Sequence, residues 1–259
     1  MKTPKPIKFP FKFLFLFRRY ILIPIFLFQT LNCLSQNKDI YGSVYYTNSS
    51  NPNEVLNSEK TKQSVKAHFN RINEYMIDVK FKLEFFNQTS SFTVSNKLDN
   101  GLKPKGGLFA DKLISNGSYY SDLNKNLQLR KVDEEILVKS QPSKLKWTLT
   151  QETKKINNYL CYKAISSATN KNSSGEYSFE IIAWYAPKIP VSFGPKQFIG
   201  LPGLILELKD THYTFYAAEI ELFPKEKPVI KIFKGKIITE EKYRERIREM
   251  MGGFIPSKN

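Results

Sequence analysis

The alternation of apolar and polar residues is the dominant pattern of the chain. From Ile77 to Phe85, odd-numbered positions are apolar and even-numbered positions are polar. This two-residue period is typical of a half-buried β-strand, and it predicts a strand over 75–86. A short strand at 91–95 follows an Asn-Gln turn, and the Tyr- and Val-rich stretch 40–47 predicts a further strand before them.

The second half of the chain repeats such stretches with short polar breaks, a pattern that predicts an antiparallel meander. Asn157 and Asn158 lie between two of the stretches and predict a tight turn, because asparagine tolerates positive φ. The predicted strands are 119–120, 127–132, 136–138, 145–153, 159–168, 177–185, 204–208, 213–222 and 229–233.

Helical periodicity is limited to two places. Glu240–Met251 predicts a helix, with Thr239 as the N-terminal cap and an apolar stripe at Tyr243, Ile247, Met250 and Met251. A weaker pattern covers 58–75. The predicted fold class is therefore α+β and mainly antiparallel β, with one curved meander-type sheet and one or two helices. A half-barrel is an open alternative for the form of this sheet.

The first 35 residues differ from the rest, because they contain six basic residues and no acidic one. An apolar run at 21–28 follows Arg19, and small or polar residues follow that run. This layout predicts a signal peptide over 1–35, cleaved before Gln36, and a single β-rich domain over 36–259. An uncleaved membrane anchor and a lipid-modified Cys33 remain open alternatives. The expected location is the periplasm or the outer membrane.

Charge becomes less unusual once the leader is set aside. The formal net charge of the full chain is +16, and it falls to +10 when the six basic leader residues are left out. The remaining lysines mostly alternate with apolar residues, as on the solvated face of a sheet. Nucleic acid is therefore not expected as a partner, whereas anionic envelope components such as phosphate-bearing lipids remain compatible with a basic surface.

Catalytic and metal-binding motifs are missing from the sequence. It has no phosphate-binding glycine loop, no Gly-x-Ser-x-Gly and no His-Glu-x-x-His, and His68 and His212 are far apart. No cofactor or metal is expected. Cys161 would be unpaired after leader cleavage, so it is an intermolecular partner, a reactive thiol or, as its strand context favours, a buried apolar residue.

A segment rich in glycine and proline, residues 187–203, is the least ordinary part of the chain. Leu201-Pro202-Gly203-Leu204 predicts a type II turn, with proline at the second position and a positive-φ glycine at the third. After this turn, Leu204, Leu206 and Leu208 would line one face of a strand. The turn would thus set the register of a strand that enters the core.

These residues resemble a named family. Gly-Leu-Pro-Gly-Leu-Ile at 200–205 is similar to the signature of the GLPGLI family of bacterial envelope proteins. The flanking positions that share the resemblance are Trp147, Tyr159, Cys161, Lys163, Ala164, Ala183, Trp184, Tyr185, Ile189, Pro190, Gly194, Pro195 and Phe198. The resemblance implies an exported protein of a Gram-negative cell with no established enzymatic activity.

Three functions follow as hypotheses. The first is a non-catalytic envelope protein that binds an apolar ligand, a peptide segment or a partner on a concave sheet face. Its candidate binding residues are Trp184, Pro190, Gly194, Pro195, Phe198, Gly200, Leu201, Pro202 and Gly203. The second is a structural or assembly role, with the segment as a fold determinant. The third is an enzyme that uses Cys161 or nearby carboxylates. Burial of Trp184 and Phe198 would favour the second.

Overall fold

A computed structural model describes residues 38–51, 79–95, 114–142, 146–172 and 175–252, together with helical positions 63, 67 and 70. The chain divides into two compact units, Met1–Asp39 and Ile40–Asn259, and all of the described strands belong to the second. The predicted leader and nearly all of the predicted helix at 58–75 lie outside the described residues. In the described part of the chain, no helix combines the length and the hydrophobicity that crossing a membrane requires.

Twelve described strands form one open sheet. The order across it is β12-β6-β5-β4-β3-β2-β1-β11-β10-β9-β8-β7, and every pair is antiparallel except β12 with β6. The elements are β1 (Tyr41–Ser50), β2 (Phe81–Phe86), β3 (Thr89–Val94), β4 (Ser118–Asp122), β5 (Leu127–Lys131), β6 (Ile136–Ser140), β7 (Thr148–Ile156), β8 (Tyr159–Asn172), β9 (Gly175–Ala186), β10 (Leu204–Lys209), β11 (Tyr213–Leu222), β12 (Lys236–Thr239) and one helix, α1 (Glu240–Gly252). The mainly antiparallel β fold with a C-terminal helix is confirmed, and its strand order is consistent with the predicted curved meander.

The alternation that predicted β2 also sets its burial. Phe81, Leu83 and Phe85 are buried and the residues between them are half-exposed. The strand begins at Phe81, because Val79 and Lys80 are described outside it, and the predicted positions 75–78 lie outside the described residues. Asn48 Nδ2 donates to the Val79 carbonyl at 3.1 Å, so a side chain takes the place of a ladder partner there.

The predicted hairpins are confirmed where asparagine or a short polar turn marked them. Asn157 and Asn158 have φ of 47° and 65° and join β7 to β8, and Asn87, at 49°, joins β2 to β3. Asn157 and Asn158 thus meet the need of a two-residue type I′ turn for positive φ at both positions, which asparagine adopts at low cost. The β10–β11 hairpin is also present, around Asp210.

The strand predicted at 229–233 is wrong. These residues have no strand partner; the last strand that the structure describes is β12 at 236–239, and it runs parallel to β6. Ile230 and Phe233 instead pack onto a second, smaller core of Tyr120, Leu129 and Leu137. This packing places the chain over β4–β6, so the short edge strand forms only after it.

The main core lies on one face of the central strands and is rich in aromatic rings. Phe81 stacks on Phe92 with 5.6 Å between ring centroids, and Phe215 meets Phe81 edge-on at 5.3 Å. Tyr46 is fully buried beside them and donates its hydroxyl to the Ile205 carbonyl at 2.6 Å. Burial raises the pKa of Tyr46, so it stays a neutral donor in this core.

Helix α1 confirms the predicted C-terminal helix. Thr239 Oγ1 accepts from the Lys242 amide at 3.2 Å, the expected capping bond. Glu240 is held by Arg130 at 3.0 Å. Of the predicted stripe, Tyr243 and Ile247 are half-buried and Met250 is 51% exposed, so the helix covers the sheet only in part.

Candidate functional site

The Gly/Pro segment, residues 187–203, connects β9 to β10 and is bonded back onto the start of β10. The Leu204 amide donates to the Ile189 carbonyl at 3.0 Å, and the Ile205 amide donates to the Phe193 carbonyl at 2.9 Å. Inside the segment, the Gly200 amide donates to the Ser192 carbonyl at 2.9 Å. These bonds hold the segment against the sheet although it contains no regular strand.

The apolar side chains of the segment enter the main core. Ile189, Val191, Phe193, Phe198, Ile199 and Leu201 are all buried. The ring of Phe193 lies 6.5 Å from that of Phe85 on β2, so the segment reaches across to a strand far from it in sequence. The segment therefore covers the apolar face of the central strands in the manner of a packed layer.

Two glycines are needed because the backbone comes close to other parts of the protein. A Cβ on Gly203 would lie 2.5 Å from the carbonyl oxygen of Ala186, and one on Gly194 would lie 2.6 Å from the Cδ1 of Ile205. Real Cβ atoms do not approach other heavy atoms so closely. Both positions therefore exclude any side chain without a shift of the surrounding atoms.

The type II turn predicted at Leu201–Leu204 is wrong, because a shorter turn forms in its place. The Gly203 amide donates to the Leu201 carbonyl at 2.8 Å, which closes a three-residue turn around Pro202. The Leu204 amide is not available to close a four-residue turn, because it bonds to Ile189. The requirement for glycine at 203 is confirmed: its φ is 157°, and the approach of Ala186 adds to the need.

The predicted binding residues divide into two groups. Gly194, Pro195, Phe198, Leu201 and Gly203 are buried. Pro190, Gly200 and Pro202 are exposed, and Trp184 is half-buried. All of the set except Trp184, which lies on β9, thus falls in the Gly/Pro segment, but Phe198 and Leu201 are buried in the protein and the exposed members are single turn residues.

Trp147 secures the segment from the side of β7. Its indole N–H donates to the Ile199 carbonyl at 2.9 Å, and its ring meets that of Phe198 edge-on at 6.4 Å. Trp147 is half-buried, so this bond is partly shielded from water. Trp147, which precedes the segment in the chain and shares the family resemblance, is therefore packed together with the segment.

A buried ion pair secures the other side, and sequence reasoning missed it. Lys196 Nζ lies 2.7 Å from Asp210 Oδ2, and their side chains are 11% and 9% exposed. Asp210 Oδ1 also accepts from the amides of His212 and Tyr213, both at 2.9 Å. The turn signal around Asp210 was visible in the sequence, but its partner comes from a separate loop.

Trp184 faces a polar network, whereas Phe198 faces the core. Lys154 Nζ lies 4.3 Å from the centre of the Trp184 ring and 2.7 Å from Glu207 Oε2. Lys163 and Glu207 are the cross-strand neighbours of Trp184, so the three share one face. The Lys154 ammonium thus contacts both the Trp184 ring and the Glu207 carboxylate, and all three residues are half-buried.

Cys161 is buried, as its strand context favoured. Its thiol is 3.6 Å from the Tyr159 carbonyl, and burial raises the pKa of Cys161 to about 11. A thiol with that pKa is almost entirely protonated at neutral pH, so it lacks the thiolate that nucleophilic catalysis requires. Among the described residues, no group of three or more His, Cys, Asp or Glu is arranged to hold a metal ion.

The comparison with protein families finds a match over only part of the chain. A family model described as "Protein of unknown function (Porph_ging)", a bacterial family, matches residues 166–207, which include the whole Gly/Pro segment. None of the curated proteins compared with the chain matches it.

Two solved structures resemble the fold distantly. Structures of PNGF-II in C2 and P21 space groups match with 17% and 15% sequence identity and TM-scores of 0.45 and 0.47. Each comparison covers 80% of this chain but only 32% and 33% of the PNGF-II chains. The chain thus spans about a third of the length of those proteins.

Proposed function

We propose that the protein is an exported, non-catalytic protein of the cell envelope that binds an extended segment of an envelope partner along the outer edge of β7. The leader-like residues 1–35 and the resemblance at 145–208 support export. The observation that carries the binding part of the proposal is the character of the β7 edge.

Strand β7 lies at one end of the sheet, and in the described part of the chain only β8 is bonded to it. Six of its nine residues are exposed. Leu149 on β7 is 53% exposed, and Leu160 on β8 is 47% exposed. An edge strand offers backbone donors and acceptors to an added strand, and exposed leucines beside it offer apolar contact.

The opposite end of the sheet is less suited to this role. Strand β12 has four residues and leads directly into α1. Its parallel pairing with β6 also leaves a short edge. A partner strand would therefore gain more backbone bonds at β7 than at β12.

A binding site on the concave apolar face has less support from the packing. The Gly/Pro segment places Phe193, Phe198 and Leu201 in the core that such a ligand would otherwise contact. This burial favours the second candidate role for the segment, a fold determinant that covers the apolar face of the sheet. An enzyme based on Cys161 is disfavoured by the raised pKa of that thiol.

Site-specific photo-crosslinking in a Gram-negative host tests the β7 proposal. A benzophenone amino acid replaces Leu149 in one variant and Tyr216 in a matched control. Tyr216 is also exposed, at 41%, but lies on β11 between β1 and β10. We expect a discrete adduct with one envelope protein from position 149 and none from position 216. No adduct from either, or the same adducts from both, refutes the edge site.

Export is tested on the same material. The intact mass of the purified protein should correspond to a chain that begins at Gln36, and the protein should be released with the envelope fraction. A full-length chain in the cytoplasm would contradict export and would leave the crosslinking result to be judged separately.

A further inference from the structure

The residues from the end of β11 to the first two residues of β12 form a strap across the sheet that combines lysines with exposed apolar side chains. The basic strap, defined as residues 223–237, contains five lysines and one glutamate: Lys225, Glu226, Lys227, Lys231, Lys234 and Lys236. Its formal net charge is therefore +4. All six of these side chains are exposed.

The strap is anchored by its own inward-facing residues. Ile230 and Phe233 pack onto Tyr120, Leu129 and Leu137. Its ends are held by backbone bonds, from the Phe223 amide to the Tyr41 carbonyl at 3.1 Å and from the Lys236 amide to the Glu135 carbonyl at 2.6 Å. The strap is therefore a fixed surface feature with a defined outer side.

The outer side presents apolar groups to water. Val229 is 76% exposed, Ile232 is 53% exposed and Ile237 is 52% exposed. These are three of the most exposed large apolar residues among those described. They fall within nine consecutive residues, and clustered exposed apolar residues mark sites of protein or membrane contact.

Lysines alternate with these apolar side chains. Lys231 lies between Val229 and Ile232 in sequence, and Lys234 and Lys236 follow. Interfacial membrane-binding surfaces have this composition, because the apolar groups enter the boundary of the bilayer while the ammonium groups meet anionic headgroups. A protein partner would need an acidic surface of matching shape, and nucleic acid would gain nothing from the aliphatic groups.

We infer that the basic strap docks the protein onto the surface of an anionic lipid bilayer. Val229 and Ile232 enter the interfacial layer, and Lys231, Lys234 and Lys236 contact lipid phosphates. The inference deepens the proposed function and rests on it, because export would place the strap beside such lipids. Binding to vesicles does not depend on export or on the β7 edge, so the failure of one proposal leaves the other distinguishable.

Vesicle co-sedimentation of the full chain tests the inference. The vesicles contain equal parts of phosphatidylglycerol and phosphatidylcholine, or phosphatidylcholine alone, at one fixed ionic strength. The strap variant is Lys231→Glu/Lys234→Glu, and the matched control is Lys146→Glu/Lys209→Glu, which makes the same change of charge at two exposed lysines elsewhere. The N-terminus is verified by mass to be identical in all samples, so its contribution cancels in the ratios.

We expect the strap variant to lose at least about tenfold in partitioning to anionic vesicles, and the control to lose less than about threefold. A second variant, Val229→Ser/Ile232→Ser, keeps the charge and should also lose at least about threefold. Melting temperatures close to wild type verify folding. Unchanged binding by both strap variants, an equal loss in the control, or equal wild-type binding to neutral vesicles would overturn the inference.

Discussion

Replacing Gly203 by alanine tests how the Gly/Pro segment closes the core. The new Cβ would lie 2.5 Å from the carbonyl oxygen and 2.6 Å from the carbonyl carbon of Ala186, and 2.8 Å from the Cα of Pro187. All three neighbours are backbone atoms, so no side-chain rotation relieves the overlap. The chain must move either at the end of β9 or at the start of β10.

The expected cost follows from these contacts. Forcing an extra carbon into a packed site costs about 1–3 kcal/mol, and an unfavourable φ adds about 1 kcal/mol. We therefore expect Gly203→Ala to lower the free energy of unfolding by about 3 kcal/mol. For a domain of this size, each kcal/mol lowers the melting temperature by roughly 2–4 °C, so the expected fall is about 6–12 °C.

The matched control is Gly200→Ala. Gly200 has a φ of 93°, but no heavy atom beyond its chain neighbours lies within 4 Å of the place that a Cβ would take, so alanine there adds backbone strain without overlap. We expect it to cost about 1 kcal/mol. Thermal and urea unfolding of both variants provide the comparison. A loss at Gly203 no larger than that at Gly200 would refute the role of close approach to Ala186.

Two substitutions test the supports of the segment, and a labelling experiment tests the burial of Cys161. Asp210→Asn removes the charge that faces Lys196 in a largely buried pair, so urea unfolding should show a loss of about 3 kcal/mol; a loss under about 1 kcal/mol would contradict the pairing. Trp147→Phe removes the indole donor to Ile199 but keeps a ring, which should cost about 1 kcal/mol in a thermal melt, and an unchanged melt would count against that bond. The pKa of Cys161 is raised to about 11, so its thiol should react with iodoacetamide at a pH of about 7.5 at least about a hundredfold more slowly in the folded chain than in the urea-unfolded chain. Peptide mass spectrometry follows the reaction, and similar rates in the two states would show that the thiol is accessible.

The hairpins were predictable because their signals are local. Asn157 and Asn158 supply the positive φ that a two-residue turn requires, and the flanking residues already alternate. The burial of Phe81, Leu83 and Phe85 follows from the same alternation. Neighbouring antiparallel strands need only such a turn between them, so their pairing could be inferred from order along the chain.

The parallel edge strand could not be inferred in this way. Lys236–Thr239 is four residues long and pairs with β6, which lies far earlier in the chain. The apolar stretch at 229–233 had the stronger strand pattern, yet its Ile230 and Phe233 gain more by covering Leu129 and Leu137. Competition between edge pairing and face burial depends on the assembled sheet, which local sequence does not describe.

The Gly/Pro segment could be picked out from the sequence, but its supports could not. The need for glycine at 203 was predicted from a turn, whereas the close approach of Ala186 is a tertiary contact. The Lys196–Asp210 pair joins two loops that are each polar and ordinary in sequence. The first contact forms when the start of β10 pairs with the end of β9, and the second forms when the Gly/Pro segment meets the β10–β11 turn.

The burial pattern separates what the Gly/Pro segment specifies from what the protein does. Phe198, Leu201 and Gly203 are enclosed by the core, so these residues of the segment determine how the apolar face of the sheet is covered. Substitutions there should act through stability, because a partner outside the protein cannot contact them. The proposed recognition therefore depends on exposed groups such as Leu149 and Ile232, and these can differ between proteins that cover their sheets in the same way.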